Sequence, residues 1–208
     1  MEFKKKPHCI TNAVDEYFGK QALTYESKSN NSIWRFLRRM ESEKIFELAG
    51  DIKGKSCLDI GSGAGFYANL MLKNGASNVT CIDQNSLMLA QFSHPHIKKV
   101  VGDAENFKTT KNHDFVLLAG VVEFLEQPIK AFKNAHRHCN DGSKLVALVP
   151  SKALLANAYN YFHRSHGILI TQFSKQEISA MLETTGWHID RIEHCFPFSL
   201  TIKGSWRG

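Results

Sequence analysis

Leu58-Asp-Ile-Gly-Ser-Gly-Ala-Gly-Phe, residues 58–66, decides the fold. A short apolar strand runs there straight into glycines at 61, 63 and 65, and a loop of that kind lets the backbone press against a ligand. A second apolar run, Asn78-Val-Thr-Cys-Ile-Asp, ends in Asp83, at the distance where nucleotide-binding α/β folds set a carboxylate against a ribose diol. A single carboxylate accepts both ribose hydroxyls in charge-assisted hydrogen bonds. The two stretches together predict an adenosine-containing cofactor.

Working outward, short apolar runs alternate with longer amphipathic segments, which argues for crossover units and a largely parallel sheet. Strands are expected at 56–60, 78–82, 98–101, 114–118 and 144–149, with helices starting near Gly65, Ser86, Gln127 and Ser174. Trp187 to Phe196 and Ser199 to Lys203 are strand-like runs joined by a few residues around Pro197, which implies an antiparallel hairpin. The predicted fold class is therefore α/β: a Rossmann-like, mostly parallel sheet flanked by helices and closed by a C-terminal antiparallel hairpin.

Ahead of this core, Asn30-Asn-Ser opens a helix in which Ile33, Trp34, Leu37, Ile45 and Leu48 fall on one side, with Phe36 and Met40 at its edge, before Gly50 ends it. Glu41 and Lys44 interrupt that stripe. Phe46 is expected to project beside Arg35 and Arg39, an arrangement that suits peripheral contact with a membrane.

The chain has 208 residues, 43% of them hydrophobic, which is enough for one substantial core. The longest apolar run, Phe115 to Val122, is too short to cross a bilayer. The first residues are basic but lack the apolar stretch of a signal peptide, so a cytoplasmic location is expected. A net charge of +6 raises the question of nucleic acid, but the basic residues are interleaved with 20 acidic ones, so nucleic acid is disfavoured. Five cysteines cannot all pair, and no metal-ligand spacing appears among the Cys and His residues. The histidine pairs His94 with His96 and His136 with His138 read as surface residues.

At this point the sequence resembles the class I S-adenosylmethionine-dependent methyltransferases of the small-molecule type, over nearly the whole chain and on four motifs in order. Asp59-Ile-Gly-Ser-Gly-Ala-Gly is similar to that family's glycine loop, with Asp59 implied near the ammonium of the cofactor's amino-acid moiety. Asp83-Gln-Asn-Ser-Leu-Met-Leu-Ala resembles the acidic strand end and the helix whose methionine approaches the adenine, which adds Gln84 and Met88. Val101-Gly-Asp-Ala-Glu resembles the segment meeting the adenine amino group, through Asp103 and the Ala104 backbone. Asp114-Phe-Val-Leu-Leu-Ala-Gly-Val-Val-Glu-Phe-Leu resembles the fourth strand and the loop under the methyl donor, which brings in Ala119. Glu123 in that loop matches a position of structural role.

The length makes a single domain the expectation, divided into a helical cap over 1–50, a cofactor-binding core over 51–150, a substrate-side insertion over 151–173, and a helix with the terminal hairpin over 174–208. In the cap, Tyr17, Phe18 and Tyr25 match an aromatic lid, and aromatic faces attract a sulfonium. In the insertion, His163 and His166 are the candidate bases, since imidazole titrates near neutral pH, and Arg164 is a candidate for an anionic substrate. After the fourth strand this chain has Ala119-Gly-Val-Val, unlike the proline-rich motif of members acting on base amines, so a small molecule is the expected acceptor and an oxygen atom the favoured one. A NAD-dependent oxidoreductase would need different glycine spacing. A non-catalytic cofactor-binding scaffold would keep the same core motifs.

Overall fold

The computed structural model describes residues 32–110, 112–152 and 169–207. The elements are α1 (Ser32–Ala49), β1 (Ser56–Ile60), α2 (Phe66–Lys73), β2 (Asn78–Asp83), α3 (Ser86–Ala90), β3 (Ile97–Val101), β4 (His113–Ala119), a 3-10 turn (Val122–Phe124), α4 (Pro128–Arg137), β5 (Cys139–Pro150), α5 (Lys175–Thr184), β6 (Trp187–Cys195) and β7 (Ser199–Trp206). Every expected strand is present. The strands form one seven-stranded sheet in the order β3-β2-β1-β4-β5-β7-β6. The first five strands pair in parallel, and β7 pairs antiparallel with both β5 and β6.

Alternating residues of the central strands feed two cores, as the period of two requires. Leu58, Ile60, Val116, Leu118, Leu145 and Ala147 face α4, α5 and the hairpin. Cys57, Val79, Cys81, Phe115, Leu117 and Val146 face α1 and α2. Strands covered on both sides read as nearly continuous apolar runs, which is why they stood out in the sequence. Trp187, at 1% exposure, anchors the hairpin by donating from its indole N–H to the Phe132 carbonyl at 3.1 Å.

Helix α1 runs back along the sheet and ends where Gly50, at φ 69°, donates to the Phe46 carbonyl at 3.1 Å. Its interruptions are contacts. Lys44 pairs with Glu47 at 2.9 Å and with Glu193 of β6, and the Ser199 hydroxyl donates to Glu41 at 3.3 Å. The expectation for Phe46 is corrected: it is half-buried against the core, and Phe36, 58% exposed, is the aromatic that projects. The helical phase places 36 outward once Ile45 and Leu48 are fixed inward. The side chains of Ile33 and Trp34 lie outside the described residues.

Two histidine assignments also change. His94 and His96 are exposed, but His136 packs between Trp206, with ring centroids 4.4 Å apart, and Trp187 at 5.5 Å. His138 is half-buried, and its ring lies 4.9 Å from that of Phe107. Both sit at the end of α4, where the hairpin and the β3–β4 connection close over them.

Burial raises Glu41 to a pKa of about 6, against the smaller opposing effects of the Ser199 hydroxyl and the Arg38 charge. A carboxyl raised in the folded state favours folding while protonated and loses that contribution as pH climbs from the unfolded value of 4.5 through about 6. The loss amounts to about 2 kcal/mol. Glu41→Gln is therefore expected to unfold at a higher denaturant concentration than wild type at pH 8 and at an equal one at about pH 3, below the unfolded value. A difference independent of pH would refute this.

Candidate cofactor site

The site is assembled at the C-terminal edge of the parallel strands, where open α/β sheets bind ligands. Strand β1 delivers Asp59 and then the glycine loop, and β2 delivers Asp83 beside it, because Ile60 pairs with Ile82 in the ladder. The loop is tied down by its neighbours. The Gly61 and Ser62 amides both donate to the Ile82 carbonyl, at 2.8 and 3.0 Å. The Gly63 amide donates to one carboxylate oxygen of Asp83 at 2.8 Å, and the Asn85 amide to the other at 2.9 Å. A carboxylate has about four lone-pair sites, so two amides leave it capacity for a diol.

The glycines are required twice over. Gly61, Gly63 and Gly65 all have positive φ, at 74°, 51° and 78°. A Cβ on Gly61 would lie 2.5 Å from Val121, and one on Gly65 would lie 2.6 Å from the Phe92 ring. The sequence suggested that these positions were kept bare for a ligand, and the protein's own side chains already need the space.

Asp59 is 1% exposed, and its Oδ2 has no hydrogen-bond partner. Burial first, and the charge of Asp83 second, push its pKa up to about 7, with the Ala68 amide pulling the other way. A buried carboxylate oxygen without a partner fits a site that receives a positively charged group.

Met88, 3% exposed, brings its methyl carbon within 3.3 Å of a Cβ placed on Gly63, so it stands against the loop. Gln84 is exposed beside it. Asp103 and Ala104 follow β3 and are held near Asp83 by the Gly102 amide, which donates to the Asp83 carbonyl at 3.0 Å. Asp103 itself accepts from the Glu105 amide at 2.9 Å, and Ala104 is buried. Ala119 ends β4 on the other side of the glycine loop and is half-buried. Glu123 is 2% exposed in the turn that follows. Tyr17, Phe18, Tyr25, His163, Arg164 and His166 lie outside the described residues.

Two participants were missed in the sequence. Asn85 caps α3, accepting from the Leu87 and Met88 amides at 3.0 and 3.1 Å, and an Asn directly before a helix start is a readable capping signal. Val121 had no local signal, since only the folded chain brings it against Gly61.

With this geometry in hand, residues 58–147 match the model of a methyltransferase domain family. This stretch is a methyltransferase domain. The chain is 27% identical over 160 residues to a biotin biosynthesis bifunctional protein of Cellvibrio japonicus (strain Ueda107), a match covering 72% of this chain and 31% of the relative. It is 25% identical over 214 residues to the mitochondrial ubiquinone biosynthesis O-methyltransferase of Schizosaccharomyces pombe, covering 91% of this chain and 77% of that one. The first relative is thus about three times as long as the stretch it shares. The magnesium protoporphyrin IX methyltransferase of Synechocystis PCC 6803, solved with bound SAH, superposes with a TM-score of 0.74 at 14% identity, covering 94% of this chain and 99% of that one, and shares the fold.

Alanine at Gly65 combines a left-handed backbone with a collision, and is expected to cost about 3 kcal/mol in a denaturant titration. Alanine at Gly54, whose φ is 72° but whose Cβ meets nothing within 4 Å, is the control. It is expected to cost only about 1 kcal/mol. Equal losses would mean that Phe92 does not press on the loop.

Proposed function

We propose that this protein transfers a methyl group from S-adenosylmethionine to a small-molecule acceptor, with oxygen as the favoured atom. The observation that carries this reading is the Asp83 carboxylate locked against the glycine loop at 2.8 Å, beside the buried Asp59, within a methyltransferase domain. The small-molecule assignment is supported by the names of relatives that act in ubiquinone and biotin biosynthesis, and the oxygen preference by the first of these.

The bound sulfonium supplies an already activated methyl group, so the protein's work is alignment and exclusion of water. Asp83 would hold the ribose hydroxyls, and Asp103 with the Ala104 backbone the adenine. Asp59 would balance the ammonium. The 1–50 segment would cover the cofactor through Tyr17 and Tyr25, and 151–173 would receive the acceptor. A hydroxyl acceptor must lose a proton, and His163 or His166 would take it.

Calorimetric titration with S-adenosylmethionine and, separately, NAD tests the assignment. Saturable binding of the methyl donor, weakened at least tenfold in Asp83→Asn, is the expected result. Binding of NAD alone would replace this reading with a nicotinamide-dependent oxidoreductase, and cofactor binding without turnover on any acceptor would favour a scaffold.

A second reading concerns the surface around the site. Phe36, Phe66, Leu87, Val101, Leu169 and Phe196, the exposed large hydrophobic residues among those described, all lie at the C-terminal edge of the sheet. Exposed Arg35 and Arg39 share the Phe36 end of α1. An apolar rim edged with arginine suits the surface of an anionic membrane, from which a lipophilic acceptor would enter. The protein is expected to sediment with phosphatidylglycerol vesicles, and Phe36→Ser with Phe196→Ser to remain in solution. Equal recovery in the supernatant with anionic and neutral vesicles would end this reading.

A further inference from the structure

Beyond the cofactor pocket, one buried polar group at the same edge has no use within the fold. The Nε2 atom of Gln172 is sealed from solvent and makes no hydrogen bond. An amide N–H2 held this way costs the folded state its hydration with nothing in return, and such a group calls for a ligand or a function.

Its position follows from the backbone on either side. The Thr171 amide donates to the Glu123 carbonyl at 3.0 Å, the Phe173 amide to the Pro150 carbonyl at 2.9 Å, and the Lys152 amide to the Phe173 carbonyl at 3.1 Å. Ser151 and Phe173 form a parallel bridge at the end of β5. Residues 171–173 therefore lie extended across the C-terminal edge of β4 and β5, directly against the turn that carries Glu123. That turn directly follows Val121, the residue pressed against Gly61 of the glycine loop. Phe173, at 1% exposure, belongs to the core shared with α4 and α5. Side chains alternate along an extended run, so Gln172 leaves the backbone on the side opposite that core.

We propose that Gln172 is an acceptor-binding residue whose side-chain N–H2 donates to an oxygen of the molecule being methylated. The inference rests on the methyl-transfer reading above and narrows it. The acceptor carries a hydrogen-bond-accepting oxygen, a carboxylate, carbonyl or phenolic oxygen, close to the reacting atom. Discrimination is strong at such a position, because a molecule lacking that oxygen leaves the buried amide unsatisfied in the complex as well.

Gln172→Met keeps the length of the side chain and removes the amide. An amide already used by the fold would be missed, whereas one reserved for a ligand would not. The variant is therefore expected to melt no lower than wild type and to bind S-adenosylmethionine with unchanged Kd in calorimetry. With tritiated S-adenosylmethionine and a panel of 3,4-dihydroxybenzoate, 4-hydroxybenzoate and decanoate, kcat/KM for the compound that wild type methylates is expected to fall at least tenfold, mainly through KM. Gln172→Glu, which replaces the donor by an acceptor, is expected to lose as much.

A melting temperature several degrees below wild type, or an unchanged kcat/KM in both variants, would overturn the proposal. If wild type binds S-adenosylmethionine but methylates none of the panel, melting decides: a destabilised Gln172→Met rejects the proposal, and an equally or more stable one upholds an amide held for a ligand. Failure of wild type to bind S-adenosylmethionine would instead overturn the methyl-transfer reading and leave the melting comparison intact.

Discussion

The Asp83 carboxylate holds the site together before any ligand arrives. One oxygen takes the Gly63 amide and the other the Asn85 amide, so a single side chain at the end of β2 fixes both the glycine loop after β1 and the entry to α3. Both bonds are charge-assisted, which makes them stronger than amide-to-carbonyl contacts of the same length. Asn85 passes the constraint on by capping α3, which sets Met88 against Gly63. The ribose-binding acid and the loop it serves are thus one unit, and the negative charge of that unit is one reason Asp59 is hard to ionise.

Much of this was legible because it is local. The strand, the three glycines and Asp83 announce themselves by composition and spacing within a few residues, and the strands between two helical layers show as apolar runs because both faces are buried. The illegible parts depend on partners far along the chain. Glu41 read as a break in an apolar stripe, since nothing near it in sequence reveals Ser199 on the hairpin. Phe36 and Phe46 could not be ranked until the phase of α1 against the sheet was fixed. His136 read as a surface residue because Trp187 and Trp206, which enclose it, arrive from the last two strands. Gln172 has no sequence signature, because an unsatisfied amide is a property of its surroundings alone.

The two ends of the sheet divide their tasks. The edge where the strands finish carries the acids, the glycine loop, the exposed apolar residues and both junctions to the segments 1–31 and 153–168. The opposite edge is closed by polar anchoring: Asp114 accepts from the Ser56 amide at 2.9 Å and from the Asn140 side chain at 2.8 Å, tying three strands at their starts. Rigid support at one end and chemistry at the other is how a fold holds reacting groups in place while leaving their surroundings open to change.

The strand order has a kinetic side as well. β7 lies between β5 and β6 and is hydrogen-bonded on both flanks, so residues 199–206, which leave the ribosome after every other strand, complete the interior of the sheet and not its rim. Until they are made, β5 presents an open edge and β6 has no neighbour in the sheet. Closure of distant segments is slow compared with local pairing, and an unpaired apolar edge invites association with other chains. Until β7 is added the sheet is therefore incomplete while the strands that carry the cofactor site are already made, and in that interval the open edge of β5 is most exposed to pairing with another chain.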